Sequence, residues 1–460
     1  MTAFADRAFQ HARANPWIVW LTGCGIYFMA VLFRASLGVA GPEAVERLDL
    51  TAAQLGAFIT LQLGMYALMQ VPSGILLDRW GPRRVLLGAA LVMGSAQIAF
   101  AFATSYPMAL LARGMLGVGD SAVYLACLRL CAVWFPRQRY AVLAMLSGLF
   151  GMAGNLAATL PLTWALQDVG WVPTFAVSGG FAIAYSLLLL RPAVAAPYRS
   201  EGVDAAASPR GWRSPFQDLA QAWRGTDLGH GTRLGFWTHQ ATMGSGAVVS
   251  MVWGVPYLTQ ALGYTQDAAA TMLMLLVLAT LVSSFLIAPF AGRFPGRRMA
   301  LALGFALGNV AAWALLLLWP GTPPTAAVIA AFAIFGCGGP ASQIGFHLAR
   351  DYSPSSRVST ATGLVNSGGF SAAMIGSVAV GWVLDALTGP GGATESDYRW
   401  SLGAMALITV VSTAGMVVSL LSLRGRTLRR QAAGQEVVIP VVAHWWDAPF
   451  TRHTRGPRED

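Results

Sequence analysis

Three ionisable side chains, Arg34, Arg113 and Asp120, lie where the surrounding sequence is apolar enough to enter hydrocarbon. A charge inside a membrane-length run is costly to keep, so it marks a binding or transport function by default. Residue type then suggests the chemistry. A guanidinium offers a rigid fork of donors that matches a carboxylate or phosphate bidentately. An aspartate shielded from water is able to carry a proton. Arg34 and Arg113 are therefore candidate anion ligands, and Asp120 a candidate proton carrier. Plainer readings stand beside these. Arg113 can simply bond the carbonyls of kinked helices, and Asp120 can permanently neutralise an arginine. Arg113 and Asp120 share a helical face by their spacing.

A second tier of polar residues occupies apolar runs. Tyr66 is flanked at four-residue spacing by Gln62 and Gln70, which puts the three on one face. Gln343 is a candidate substrate contact. His239, beside Gln240, is either a proton relay or a hydrogen-bonded interface residue. His347 and Arg350 close the same run as Gln343.

The elements that position these residues follow from composition. The chain has 460 residues, 55% hydrophobic and 11% charged, against about 25% charged for a soluble protein. It reads as an all-α membrane protein. Crossing a bilayer takes roughly 20 apolar residues, and twelve runs qualify: 17-40, 53-77, 85-104, 107-135, 140-164, 171-190, 234-259, 269-291, 299-319, 325-349, 358-386 and 400-423. The first reads as a retained helix rather than a cleaved leader. Residues 191-233, polar and arginine-rich, divide the runs into an N-terminal bundle (1-190) and a C-terminal bundle (234-424). A 425-460 tail follows, either lying on the membrane surface or extended in solvent. Within the linker, Pro215 to Trp223 is either an amphipathic helix or solvated chain.

The net charge of +10 comes without a single lysine. The arginines cluster after runs 2, 4, 8, 10 and 12, and only Arg47 and Arg399 fall on the alternate loops. That is the positive-inside pattern, with both termini cytoplasmic, and not a nucleic-acid face. On this topology Arg34 and Arg113 each lie about seven residues, roughly 10 Å, from the outer end of their runs. They should sit at one depth, with Asp120 about two turns deeper. Cys24, Cys127, Cys131 and Cys337 all fall in apolar runs without metal spacing and read as small buried hydrophobes. No loop-borne catalytic triad, nucleotide loop or metal cluster is visible. The chain is read as a non-enzyme without cofactor or metal.

The loop after run 2 reads Gly74-Ile75-Leu76-Leu77-Asp78-Arg79-Trp80-Gly81-Pro82-Arg83-Arg84. A worn copy, Gly292-Arg293-Phe294-Pro295-Gly296-Arg297-Arg298, follows run 8, so the halves look like a repeat. The first copy resembles the loop 2-3 signature of the major facilitator superfamily. Arg113-Gly114-Met115-Leu116-Gly117-Val118-Gly119 is similar to a second superfamily motif. The resemblance covers about residues 17 to 424. It implies twelve transmembrane helices in two pseudo-symmetric six-helix bundles, with runs 1, 4, 7 and 10 lining a central cavity. It also implies secondary transport by alternating access. Arg34, Arg113, Gln343 and Tyr66 then become substrate contacts, Asp120 the proton-coupling group, and Gly74, Asp78, Arg79, Gly81, Arg83 and Arg84 the gating motif. Run 1 is similar to anion-transporting branches. In run 5, Gly148, Gly151 and Gly154 lack the proline of drug antiporters.

In the superfamily the loop aspartate bridges the halves. Physically, a carboxylate at Asp78 can accept from the free N–H groups that start run 11 at Val358-Ser359-Thr360. The plainer reading is that Asp78 neutralises Arg79 or Arg83. The second copy carries Gly292 at the matching place, so the latch is expected on one side only. The expected partners are a small organic anion or zwitterion, protons and the lipid bilayer, with the protein a monomer in the inner cell membrane. The alternatives are a drug or metabolite exporter, and a membrane receptor or scaffold without transport.

Overall fold

The computed structural model describes residues 15–191, 223, 229–353, 357–389 and 392–441. Most of the linker, residues 215–222 included, lies outside these residues, as does the tail beyond 441. The described chain is helical: α1 Pro16–Leu48, α2 Ala52–Leu68, α3 Gln70–Ala101, α4 Tyr106–Trp134, α5 Tyr140–Ala157, α6 Leu160–Val169 and α7 Trp171–Ser186. After the linker come α8 Gly229–Val248, α9 Gln266–Arg293, α10 Arg298–Leu317, α11 Thr325–Ser342, α12 Ile344–Tyr352, α13 Val358–Leu387 and α14 Glu395–Ala432.

Local sequence explains the ends. Asn15 caps α1 by accepting from Trp17 N at 2.9 Å, with Pro16 in the first turn where a missing N–H costs nothing. Thr51 and Gln54 form a reciprocal capping box on α2, and Thr394 and Asp397 do the same on α14. Inside α3 the helix breaks at Gly81, whose φ of 77° and ψ of 163° suit glycine. The apolar run after Tyr140 breaks between α5 and α6 just before Pro161, which has no N–H for the Ala157 carbonyl and whose ring crowds it. Pro340, inside α11, has no N–H to give the Gly336 carbonyl. The Thr280 hydroxyl of α9 donates to that carbonyl at 2.8 Å instead.

Among the described residues, ten helical stretches are singly long and apolar enough to cross a bilayer. Two more complete the twelve expected. One is α2 continued into α3 as far as Gly81. The other is α8 continued through two π-turns to Ala261. Large apolar side chains such as Leu111, Phe181, Leu286 and Trp382 lie exposed on the outside of these helices, where a soluble protein would carry charge. The chain is a multi-pass membrane protein.

It forms two compact units, Met1–Leu219 with Ser355–Gly363, and Ala220–Pro354 with Leu364–Asp460. In the first unit α4 is the hub, packing against α1, α2, α3 and α5 around Phe33, Leu77, Leu86, Met93 and Val123. In the second, α8 packs against α11, α12 and α14, and a separate core gathers Trp313, Phe332, Phe335 and Met405. Lipid tails are as apolar as leucine, so close backbone approach and buried hydrogen bonds hold such helices together. Trp20 Nε1 donates to Ser147 Oγ at 3.0 Å between α1 and α5. Asn309 Nδ2 donates to the Ala241 and Thr242 carbonyls at 3.1 and 3.0 Å between α10 and α8. The glycine runs of α11 and α13 serve the same end: a methyl on Gly338 would collide with the Thr242 carbonyl. All four cysteines are free thiols, three of them buried.

Candidate functional site

Within the first unit, α1 and α4 bring Arg34 and Asp120 together. Arg34 Nε and Nη2 each donate at 2.7 Å, to Asp120 Oδ2 and Oδ1 respectively. This is the bidentate fork that planar guanidinium allows and lysine does not. The pair is asymmetric in exposure. The Arg34 side chain is 20% accessible and that of Asp120 1%. The fork uses two of the five guanidinium donors, which leaves three on the accessible partner. Tyr66 packs its ring against one guanidinium face, with Arg34 Cζ 4.6 Å from the ring centroid.

Arg113 lies elsewhere. It is 1% accessible and reaches the other side of α1, where Nη1 approaches the Phe33 carbonyl at 3.5 Å and Ser36 Oγ at 3.4 Å. Its Cζ sits 5.0 Å from the Phe100 ring centroid, and Nε and Nη2 are buried without a partner. Among the described residues no hydrogen bond joins Arg113 to Asp120, so sharing a helical stripe does not make them a pair. Of the expected substrate contacts, Arg34 and Tyr66 meet at the ion pair and Arg113 does not. Gln62 and Gln70 are buried, and Gln70 Nε2 donates to the Tyr66 and Ser121 carbonyls at 3.3 and 3.5 Å.

In the second unit Gln343 occupies the joint between α11 and α12. Its carbonyl accepts from Phe346 N at 3.1 Å. The neighbouring Ser342 carbonyl lies 3.2 Å from His239 Nδ1. That contact puts the proton on Nδ1 and makes His239 a hydrogen-bonded interface residue, with its ring 4.8 Å from that of Phe346.

The loop motif has a definite geometry. Asp78 Oδ1 accepts from Ser359 N at 2.9 Å. Its Oδ2 accepts from Thr360 N and from Thr360 Oγ1, both at 2.7 Å. The carboxylate thus occupies the positive end of α13 and satisfies N–H groups that have no partner inside that helix. The start of α13 belongs to the first compact unit and the remainder to the second. Gly74 lies one turn before Asp78 and makes the approach possible. A methyl there would stand 2.5 Å from the Ser359 carbonyl and 2.8 Å from Thr360 Cα. Arg83 fastens the neighbouring helix end instead, donating through Nε to the Leu189 carbonyl at 2.7 Å and through Nη2 to that of Leu190 at 3.3 Å. Arg79 and Arg84 are exposed.

Sequence reasoning missed Arg129. Its Nη1 lies 3.9 Å from Asp78 Oδ1, with both side chains nearly inaccessible. The signal was present, since Leu128-Arg129-Leu130-Cys131 is another charge in an apolar run. In the worn copy, Arg298 donates from Nε to the Ala291 carbonyl and from Nη1 to Asp351 Oδ2, both at 2.6 Å. The second motif therefore closes on its own unit.

Among the described residues, the long apolar helices, the charged pair buried between two of them and the duplicated loop motif define a multi-pass helical membrane protein. The sequence profile of the Major Facilitator Superfamily matches residues 23–243 and again 236–455, and the chain belongs to that family. It is similar to the probable sulfoacetate transporter SauU of Cupriavidus necator, 30% identical over 36% of this chain and 38% of that one. It is also similar to the probable galactarate/D-glucarate transporter GarP of Escherichia coli, at 29% over 34% and 37%. The D-galactonate transporter of Escherichia coli matches at 26% over 55% of this chain and 61% of its own. Each match thus spans less than two thirds of the relative. The fold resembles that of FucP in its outward conformation, with a TM-score of 0.64 over 88% of this chain and 99% of that one at 14% identity.

Proposed function

We propose that the protein is a secondary active transporter of the inner cell membrane, with both termini cytoplasmic, that moves a small organic anion together with protons by alternating access. The observation that carries this reading is the Arg34–Asp120 fork, with three guanidinium donors left on the accessible partner. An incoming carboxylate and Asp120 compete for one guanidinium. Protonation of Asp120 removes its charge and one of its two acceptor oxygens, which releases Arg34 to the substrate. Loss of the proton restores the fork and expels the anion. Anion and proton therefore travel in the same direction. Binding should tighten as pH falls, because the competitor is then neutral. The relatives support the cargo class, as their names specify carboxylates or a sulfonated acetate.

Asp78 supplies the gate in this scheme. Its three bonds fasten the start of α13, and their rupture frees that helix to move. Gly74 gives the clearance and Gly81 the turn that the latch needs, while Arg79, Arg83 and Arg84 anchor the loop at the surface. Gln343, in the second unit, is the remaining proposed substrate contact. The protein works as a monomer without a cofactor.

The test is uptake of radiolabelled gluconate or glucarate by purified protein in liposomes. An inward proton gradient should drive accumulation, and each substrate taken up without a gradient should bring a measurable alkalinisation outside. Uptake that ignores the gradient and moves no protons would exclude the coupling.

A further inference from the structure

The α1 stripe that carries Arg34 carries Tyr27 two turns earlier, and the α4 face that carries Asp120 carries Tyr124 one turn later. The two rings pack together with centroids 5.0 Å apart at 34°. α5 makes the seat for Tyr27. A methyl on Gly151 would fall 2.7 Å from Tyr27 Cε1 and 3.0 Å from its hydroxyl, so glycine there gives the ring its place. The Tyr27–Tyr124 pair thus lies on the same α1–α4 seam as the Arg34–Asp120 fork. Tyr27 is half-buried, and its hydroxyl has no hydrogen-bond partner among the described residues. A phenol is both donor and acceptor. An unpaired one two turns along the same seam from a guanidinium with donors to spare fits a ligand that carries a hydroxyl as well as a carboxylate.

On the reading that Arg34 binds the substrate anion, we infer that Tyr27 is a specificity-determining residue that selects hydroxylated carboxylates over unhydroxylated ones of equal length. Arg34 takes the charge, which every carboxylate offers alike. Tyr27 takes the hydroxyl, and an analogue without it leaves the phenol unpaired, which is how polar sites reject such analogues. Tyr124 positions the Tyr27 ring and makes no contact with substrate.

Tyr27→Phe tests this, since it keeps the ring, its packing on Tyr124 and its seat on Gly151. Binding of gluconate and of hexanoate to the full-length purified protein is measured by calorimetry. The wild type should prefer gluconate. The variant should bind gluconate about tenfold more weakly, the scale of one hydrogen bond, with hexanoate unchanged. Equal losses for both acids, no loss for either, or a wild type without preference for gluconate would overturn the assignment. Arg34→Gln is run alongside. If it leaves gluconate binding intact, the anion site itself fails. If it abolishes binding while Tyr27→Phe changes nothing, only the present inference fails.

Discussion

Arg34→Gln is expected to abolish substrate uptake in liposomes, with affinity falling at least a hundredfold. Truncating one partner of a buried, hydrogen-bonded charge pair costs about 2–5 kcal/mol, much of it the penalty on the group left behind. Here the group left behind is Asp120, with a 1% accessible side chain inside the bundle. The variant should therefore also melt at a lower temperature unless Asp120 takes up a proton. The double variant Arg34→Gln/Asp120→Asn removes both charges and should recover stability without recovering transport. That separation assigns the loss to binding and not to misfolding. Arg34→Gln with unchanged apparent affinity would end the anion reading.

Asp78→Ala should be the second severe lesion, through a different failure. It strips the Ser359 and Thr360 N–H groups of their acceptor and leaves Arg129 without the carboxylate 3.9 Å away. Each buried donor left without its acceptor costs about 1–3 kcal/mol. The expected result is a clear fall in melting temperature and a more than tenfold fall in turnover, with substrate affinity changed far less. Asp78→Ala/Arg129→Leu removes the pair together and should remain slow, since the cap on α13 is still missing. A double variant that transports at the wild-type rate would show that the contact is structural alone.

Much of the architecture was legible in sequence because the bilayer imposes it. Long apolar runs, arginines on alternate loops and a repeated loop motif suffice to give twelve spans and the family. The partner of Asp78 was also legible, since a carboxylate facing the N–H groups that open a helix has one obvious use. The direction of Arg113 was not. Helical side chains lean toward the N-terminus, so a long arginine reaches away from an aspartate two turns later, although the backbone spacing aligns them. Arg113 accordingly lies against Phe33, Ser36 and Phe100, and Asp120 turns to Arg34. Gln62 and Gln70 share a face with Tyr66, yet it is Tyr66 that stacks on Arg34 while Gln70 bonds the Tyr66 and Ser121 carbonyls, because the rotation of a helix against its neighbours is a tertiary property. Tyr27 gave no signal of its own until α5 and its glycine gave the ring a seat against Tyr124.

In the proposed cycle one carboxyl group, Asp120, couples the proton to the anion. Asp120→Asn in liposomes tests it most directly, with two assays on the same vesicles. Accumulation driven by a proton gradient should be lost, while exchange of internal for external substrate continues. Asparagine mimics the protonated, anion-accepting state and still permits the loaded carrier to turn over. Gradient-driven accumulation that survives in Asp120→Asn would show that Asp120 does not carry the coupled proton.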